Sequence, residues 1–160
     1  MKMLPAFFAA LATIGSLAVA IPQTITPNGF LRVAGVLFEQ FATDPATWDG
    51  NADLKGHWET QGNISTLQDS AAVFGISADR ITVEQEDGHV RSIRVVFSAS
   101  PKQGARRTDL LRQVKANVQA FTAEAGSPGS GGAIAYRYKT LTITLRSGAG
   151  GDVVVDFTRA

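Results

Sequence analysis

The sequence predicts an α+β fold: a single domain with an antiparallel sheet of four to five strands, in two hairpins, and two to three helices packed mainly on one face. Three observations lead there. Apolar residues recur at helical spacing in some segments and alternate with period two in others, and the alternating segments come in adjacent pairs joined by short glycine-bearing loops. The chain has 160 residues, so the body left after removal of a leader is long enough for one core and too short for two full domains.

Residues 1–20 carry Lys2, an apolar run from Leu4 to Leu17 and the small-x-small ending Ala18-Val19-Ala20. This pattern predicts a secretory signal peptide cleaved after Ala20, with an uncleaved anchor as the alternative because the run approaches spanning length. The expected location is therefore exported, periplasmic or secreted, with no membrane attachment after cleavage. The chain has no cysteine, which excludes disulfides, thiolate metal sites and thiol nucleophiles. Residues 21–29, with two prolines and Asn28-Gly29, read as an extended lead-in to a domain over 30–160.

Phe30, Val33, Ala34, Leu37, Phe38 and Phe41 predict a first helix, stopped at Asp44-Pro45. A short strand is expected within Leu54–Thr60. Ser65 followed by Gln68 resembles a capping box, and Leu67, Ala71 and Phe74 share a helical face, so a second helix is expected from Ser65 to Gly75. Arg80–Glu86 and His89–Ser98 alternate as two strands. A three-residue loop, Glu86-Asp87-Gly88, pairs Ile81 with Ile93 and Val83 with Arg91, keeping Val95 and Phe97 on the same face, and this register is preferred over a two-residue turn.

Leu110, Leu111, Val114, Val118, Phe121 and Ala125 predict a third helix closed by Gly126. Ser127–Gly132 reads as a flexible connector. Ile134, Tyr136 and Tyr138 alternate on even positions and Leu141, Ile143 and Leu145 on odd ones, which predicts a bulge or bend near Lys139-Thr140. In the last hairpin, Leu145 is expected opposite Val153, Ile143 opposite Val155, and Arg146 opposite Asp152 across a loop centred on Ala149.

Formal net charge is +1, but it is unevenly spread. Residues 21–100 hold five basic and ten acidic groups, whereas 101–160 hold nine and four. Whether that polarity survives in space depends on whether the two halves interleave.

Motifs for chemistry are sparse. Asp49, Asn51 and Asp53 match the first ligands of a calcium loop, but Leu54 stands at the glycine position and Thr60 at the bidentate glutamate position. His57 and Glu59 lie two apart on an expected strand and so share a face, the arrangement a general acid/base pair requires. Two histidines in all, without metal-ligand spacing, give no zinc site. No nucleophile elbow or phosphate loop is present, and no cofactor is expected. Arg106, Arg107, Arg112 and Lys115 cluster at the start of the third helix, where they oppose the helix dipole; a solvated helix face is the ordinary explanation, and a surface for an anionic partner is the functional one.

The leading expectation is a small exported, non-catalytic binding or interaction protein. Its partner is an unknown protein or an anionic envelope component, and nucleic acid is not expected after export. A small hydrolase using His57 with nearby carboxylates and a cation-stabilised structural module are the alternatives.

Overall fold

A computed structural model of the chain describes residues 23–24, 57–69, 71–74, 76–98 and 107–160. In chain order its strands are β1 (Gln23–Thr24), β2 (Trp58–Gln61), β3 (Ile64–Leu67), β4 (Ala71–Val73), β5 (Ile76–Ala78), β6 (Arg80–Glu86) and β7 (His89–Phe97). The helix α1 (Arg107–Thr122) follows, then β8 (Ser127–Pro128), β9 (Ile134–Tyr138), β10 (Leu141–Ser147) and β11 (Val153–Arg159).

Eight strands form one antiparallel sheet in the order β2-β3-β6-β7-β11-β10-β9-β8, and β1-β4-β5 form a separate small sheet. The fold is thus mostly β, with one helix among the described residues, and not the expected α+β arrangement of four to five strands under two to three helices. The expected first helix, over 30–41, lies outside the described residues.

The segment read as a second helix is the main correction. Gly62, at φ 63°, opens a two-residue turn that pairs Gln61 with Ile64, and the chain continues as β3. Ser65 caps nothing; its hydroxyl lies 3.0 Å from Thr60 Oγ1 across the strand pair. Leu67, Ala71 and Phe74 are buried as the helical reading requires. They reach the core by period two through β3 and β4 and by the turn that follows.

At that turn Phe74 has a left-handed backbone, φ 57°, which a bulky residue adopts only when its surroundings hold it there. The surroundings are specific. Its ring, 2% exposed, stacks on Phe121 of α1 at 5.6 Å and on Phe157 of β11 at 6.4 Å. Asn117 Nδ2 donates to the Phe74 carbonyl at 2.7 Å. Phe74 therefore joins the small sheet to both the helix and the large sheet, beside Ala71, Val73 and Ile76, which are buried in the same core.

Both long hairpins keep the expected inward faces but shift their pairing by two residues. In β6–β7, Asp87 and Gly88 take φ 51° and 76°, a two-residue turn of the type whose twist suits a hairpin. A bulge between Glu84 and Gln85 then leaves Arg91 unpaired, so Ile81 meets Val95 and Val83 meets Ile93. Arg91 escapes the apolar face and pairs with Glu86 at 3.1 Å.

In β10–β11, Ile143 meets Phe157 and Leu145 meets Val155. The phase change at Lys139-Thr140 is a full hairpin turn, with Tyr138 opposite Leu141, and not a bend in one strand. Residues 127–132, read as a flexible connector, contribute β8 and a 3-10 turn.

The strand order answers the question of charge. Strands from 58–97 occupy one half of the large sheet and strands from 127–159 the other, meeting only where β7 pairs β11. Within the large sheet these strands do not interleave, so the charges that the described strands of each part carry stay in separate halves of it. The order also reads alike from both edges, with β2, β3, β6 and β7 corresponding to β8, β9, β10 and β11 about the central pair.

Two stability predictions follow from this packing. Phe74→Ala removes the ring that joins both sheets and the helix, and should lower the unfolding free energy in urea by about 3–5 kcal/mol. Gly126 and Gly131 both have positive φ, 76° and 65°. A Cβ at Gly126 would lie 2.7 Å from atoms of Ile134 and Tyr136, whereas one at Gly131 meets nothing. Gly131→Ala should therefore cost about 1 kcal/mol of backbone strain, and Gly126→Ala at least about 1 kcal/mol more, in paired denaturant melts.

Candidate binding face

Alternation along each strand sends one set of side chains to the core and the other to a single outer face. The inner set includes Ile81, Val83, Ile93, Val95, Phe97, Leu141, Ile143, Leu145, Val153, Val155 and Phe157, all at most 2% exposed. The outer set falls into register across the sheet. One row runs Gln61, Ile64, Glu84, Ser92, Thr158, Thr142, Arg137, and the next runs Glu59, Thr66, Thr82, Arg94, Asp156, Thr144, Ala135. A third row holds Arg80, Val96, Val154 and Arg146.

This face is rich in hydroxyls and charge. Its centre is Asp156, which accepts from Arg94 Nε at 2.6 Å through one oxygen and from Arg146 Nε at 2.9 Å through the other. The Asp156 side chain is 14% exposed and the two arginines 49% and 40%, so the carboxylate lies beneath a pair of accessible guanidiniums. Arg146 thus finds its acid four residues beyond the expected Asp152: the moved register puts Val154 opposite it, and the bond runs diagonally to Asp156.

Two recesses flank the face. One of about 220 Å³ is lined by Glu59, Gln61, Ile64, Thr66 and Gln68 at the β2–β3 edge. Ile64 there is the only large apolar side chain exposed among the described residues, at 44%. The other, of about 570 Å³, lies where Glu124–Ser127 meets Ala135, Arg137 and Thr142. Glu124 Oε2 accepts the Arg137 main-chain N–H at 2.8 Å, and Pro128 follows in β8. A carboxylate cap and a proline blunt this sheet edge against pairing with another strand.

The residues singled out from sequence are scattered by comparison. His57, one residue before the edge strand β2, and Glu59 within it are both exposed. The His57 main-chain N–H donates to Asp69, and Glu59 Oε1 accepts from Gln61 Nε2 at 3.1 Å. The recess beside Glu59 is not lined by His57. Arg107 opens α1, and Arg106 lies outside the described residues. Arg112 is bonded to Asp109 at 2.8 Å on the exposed helix face. Lys115 instead lines a groove with the glycine-rich residues 125–134. Asp49, Asn51 and Asp53 lie outside the described residues, and no group of three metal-ligating side chains occurs among those described.

Arg94, Asp156 and Arg146 were missed because they are brought together across strands. Local spacing in the sequence carries no sign of a contact between residues 62 positions apart. No protein family, curated protein or solved structure matches this chain.

One buried polar atom stands out on the inner side. The Tyr136 hydroxyl has no hydrogen-bond partner among the described residues, and burial raises the phenol above the ordinary tyrosine range. An unmet buried hydroxyl costs about 1–3 kcal/mol. Tyr136→Phe should therefore raise the unfolding free energy by about 1 kcal/mol. A folded pKa above the unfolded value means that the contribution is whole below about pH 10 and falls as pH rises through the folded pKa. The phenylalanine variant should lose that part of the alkaline decline, as read from denaturant melts between neutral pH and pH 11.

Proposed function

We propose that this is a small exported, non-catalytic binding protein whose recognition surface is the outer face of the eight-stranded sheet. The observation that carries the reading is the separation of roles between the two faces. The inner one is filled with apolar side chains, whereas the outer one presents registered rows of threonine, serine and arginine around a structured charge cluster at its centre. Proteins position recognition groups on rigid elements when a ligand must be met by a fixed pattern, and the middle of a wide sheet is such an element.

Of the basic residues at the start of the expected third helix, only Arg112 and Lys115 have described side chains. Arg112 is neutralised by Asp109 one turn away, and a lone exposed pair of that kind contributes little. Export itself rests on the leader pattern of residues 1–20.

The reading is tested by immobilising the full chain and exposing it to the envelope and exported fractions of a cell. A component retained by the natural chain should be lost by a Thr144→Glu, Thr158→Glu variant, which places new charge on the outer face. The same component should persist with an Arg112→Gln, Lys115→Gln variant. The reverse pattern would move the site to the helix and overturn the proposal.

A further inference from the structure

Resting on that reading, we infer that the outer face binds an acidic polysaccharide, with Arg94 and Arg146 receiving its carboxylates and Asp156 acting as the positioning residue that holds both guanidiniums. Arg94 donates its Nε–H to one Asp156 oxygen at 2.6 Å, and Arg146 donates its Nε–H to the other at 2.9 Å. A guanidinium has five N–H donors, so four on each are not used by that bond. Two cations around one anion leave net positive charge on a surface that is 40–49% exposed at the arginines. Planar donors held in this way suit oxyanions.

The spacing favours a chain over a small ion. Arg80, Val96, Val154 and Arg146 lie in register on four adjacent strands. Three strand spacings put the Arg80 and Arg146 backbones about 14 Å apart. No single carboxylate bridges that distance easily, whereas a polymer laid across the strands offers repeated ones. Thr82 and Thr144 lie in the next row and Thr142 and Thr158 in the row beyond it, and their hydroxyls can exchange hydrogen bonds with sugar hydroxyls. That mixture matches a uronic-acid polymer better than a chain of bare phosphates.

The test uses the full chain and alginate, a linear polyuronate, as the probe, with neutral dextran and polyphosphate as controls, in affinity electrophoresis and calorimetric titration. Alginate should bind with an affinity that falls as salt is raised, dextran should not bind, and polyphosphate should bind at least several-fold more weakly than alginate. Arg94→Gln with Arg146→Gln should weaken alginate binding at least tenfold. Arg80→Gln, which disturbs no bond of the cluster, should weaken it several-fold.

Asp156→Asn is the most informative variant. A site that works by summed charge alone would bind alginate more tightly once a carboxylate is removed. A positioning role predicts weaker binding, because the guanidiniums lose their charged anchor, and a melt of each variant verifies that it is folded. Tighter binding by Asp156→Asn overturns the positioning role, polyphosphate binding as tight as alginate overturns the polysaccharide, and no binding by the natural chain overturns the inference. If alginate fails while Thr144→Glu, Thr158→Glu still abolishes capture of an envelope component, the outer-face reading survives without its acidic polysaccharide.

Discussion

The pairing of β7 with β11 is the contact on which the rest of the molecule depends. It is the sole seam between the two four-stranded halves of the large sheet, and it joins residues as far apart in sequence as Ile93 and Phe157. Closing such a distance costs chain entropy before any contact rewards it. The return comes from the inner face of the seam, where Val95, Phe97, Val155 and Phe157 are fully buried. With no cysteine in the chain, no covalent link shares this task. The same seam fixes what the outer face can be. A slip by one residue would carry Arg94 and Asp156 into the core and Val95 and Val155 into solvent, so core and outer face are specified together.

Much of the inward-facing set was legible from period two alone, since Ile81, Val83, Ile93, Val95, Ile143 and Val155 face the core as expected. Exact pairing was not, and the reason is common to both long hairpins. Alternation determines the face but is unchanged by a shift of two, so only the turn can decide between neighbouring registers. At Asp87-Gly88 the turn is short and a bulge at Arg91 restores the parity that a longer loop had been invoked to supply. At the last hairpin the loop is Gly148-Ala149-Gly150-Gly151-Asp152, and Gly148 N–H donates to the Asp152 carbonyl at 2.8 Å. The same closure occurs over Gly129-Ser130-Gly131-Gly132-Ala133, again at 2.8 Å. Two copies of glycine, small residue, glycine, glycine were thus a readable loop signal, overlooked because the first copy resembled a linker in composition.

The misread second helix has a different cause. Gly62-Asn63, flanked by Trp58–Gln61 and Ile64–Leu67, is a hairpin signal of the kind that places glycine first in the turn. Ser65, Gln68 and the spacing of Leu67, Ala71 and Phe74 imitate a capped helix equally well. Spacings of four and three satisfy a helical face, but a strand, a break and a turn residue can bury the same three side chains. What distinguishes them is tertiary: the aromatic ring of Phe74 finds Phe121 and Phe157, which no local pattern announces.

The candidate site follows the same logic of distance. A reading confined to neighbouring residues finds charge where it is locally dense, at Arg106, Arg107, Arg112 and Lys115, or where functional types are adjacent, at His57 and Glu59. Density in sequence is a poor guide when a helix resolves its own charges by i, i+3 pairing, as Arg112 does with Asp109. A sheet instead assembles charge from separate strands. Arg94, Asp156 and Arg146 are each ordinary outward positions in an alternating run, and only the β7–β11–β10 register makes them one cluster. The carboxylate is half-shielded under two exposed guanidiniums. A neutralised surface pair adds little to stability, whereas an arginine pair with surplus charge, fixed on a rigid sheet and surrounded by hydroxyls, has the geometry that the proposed binding role requires.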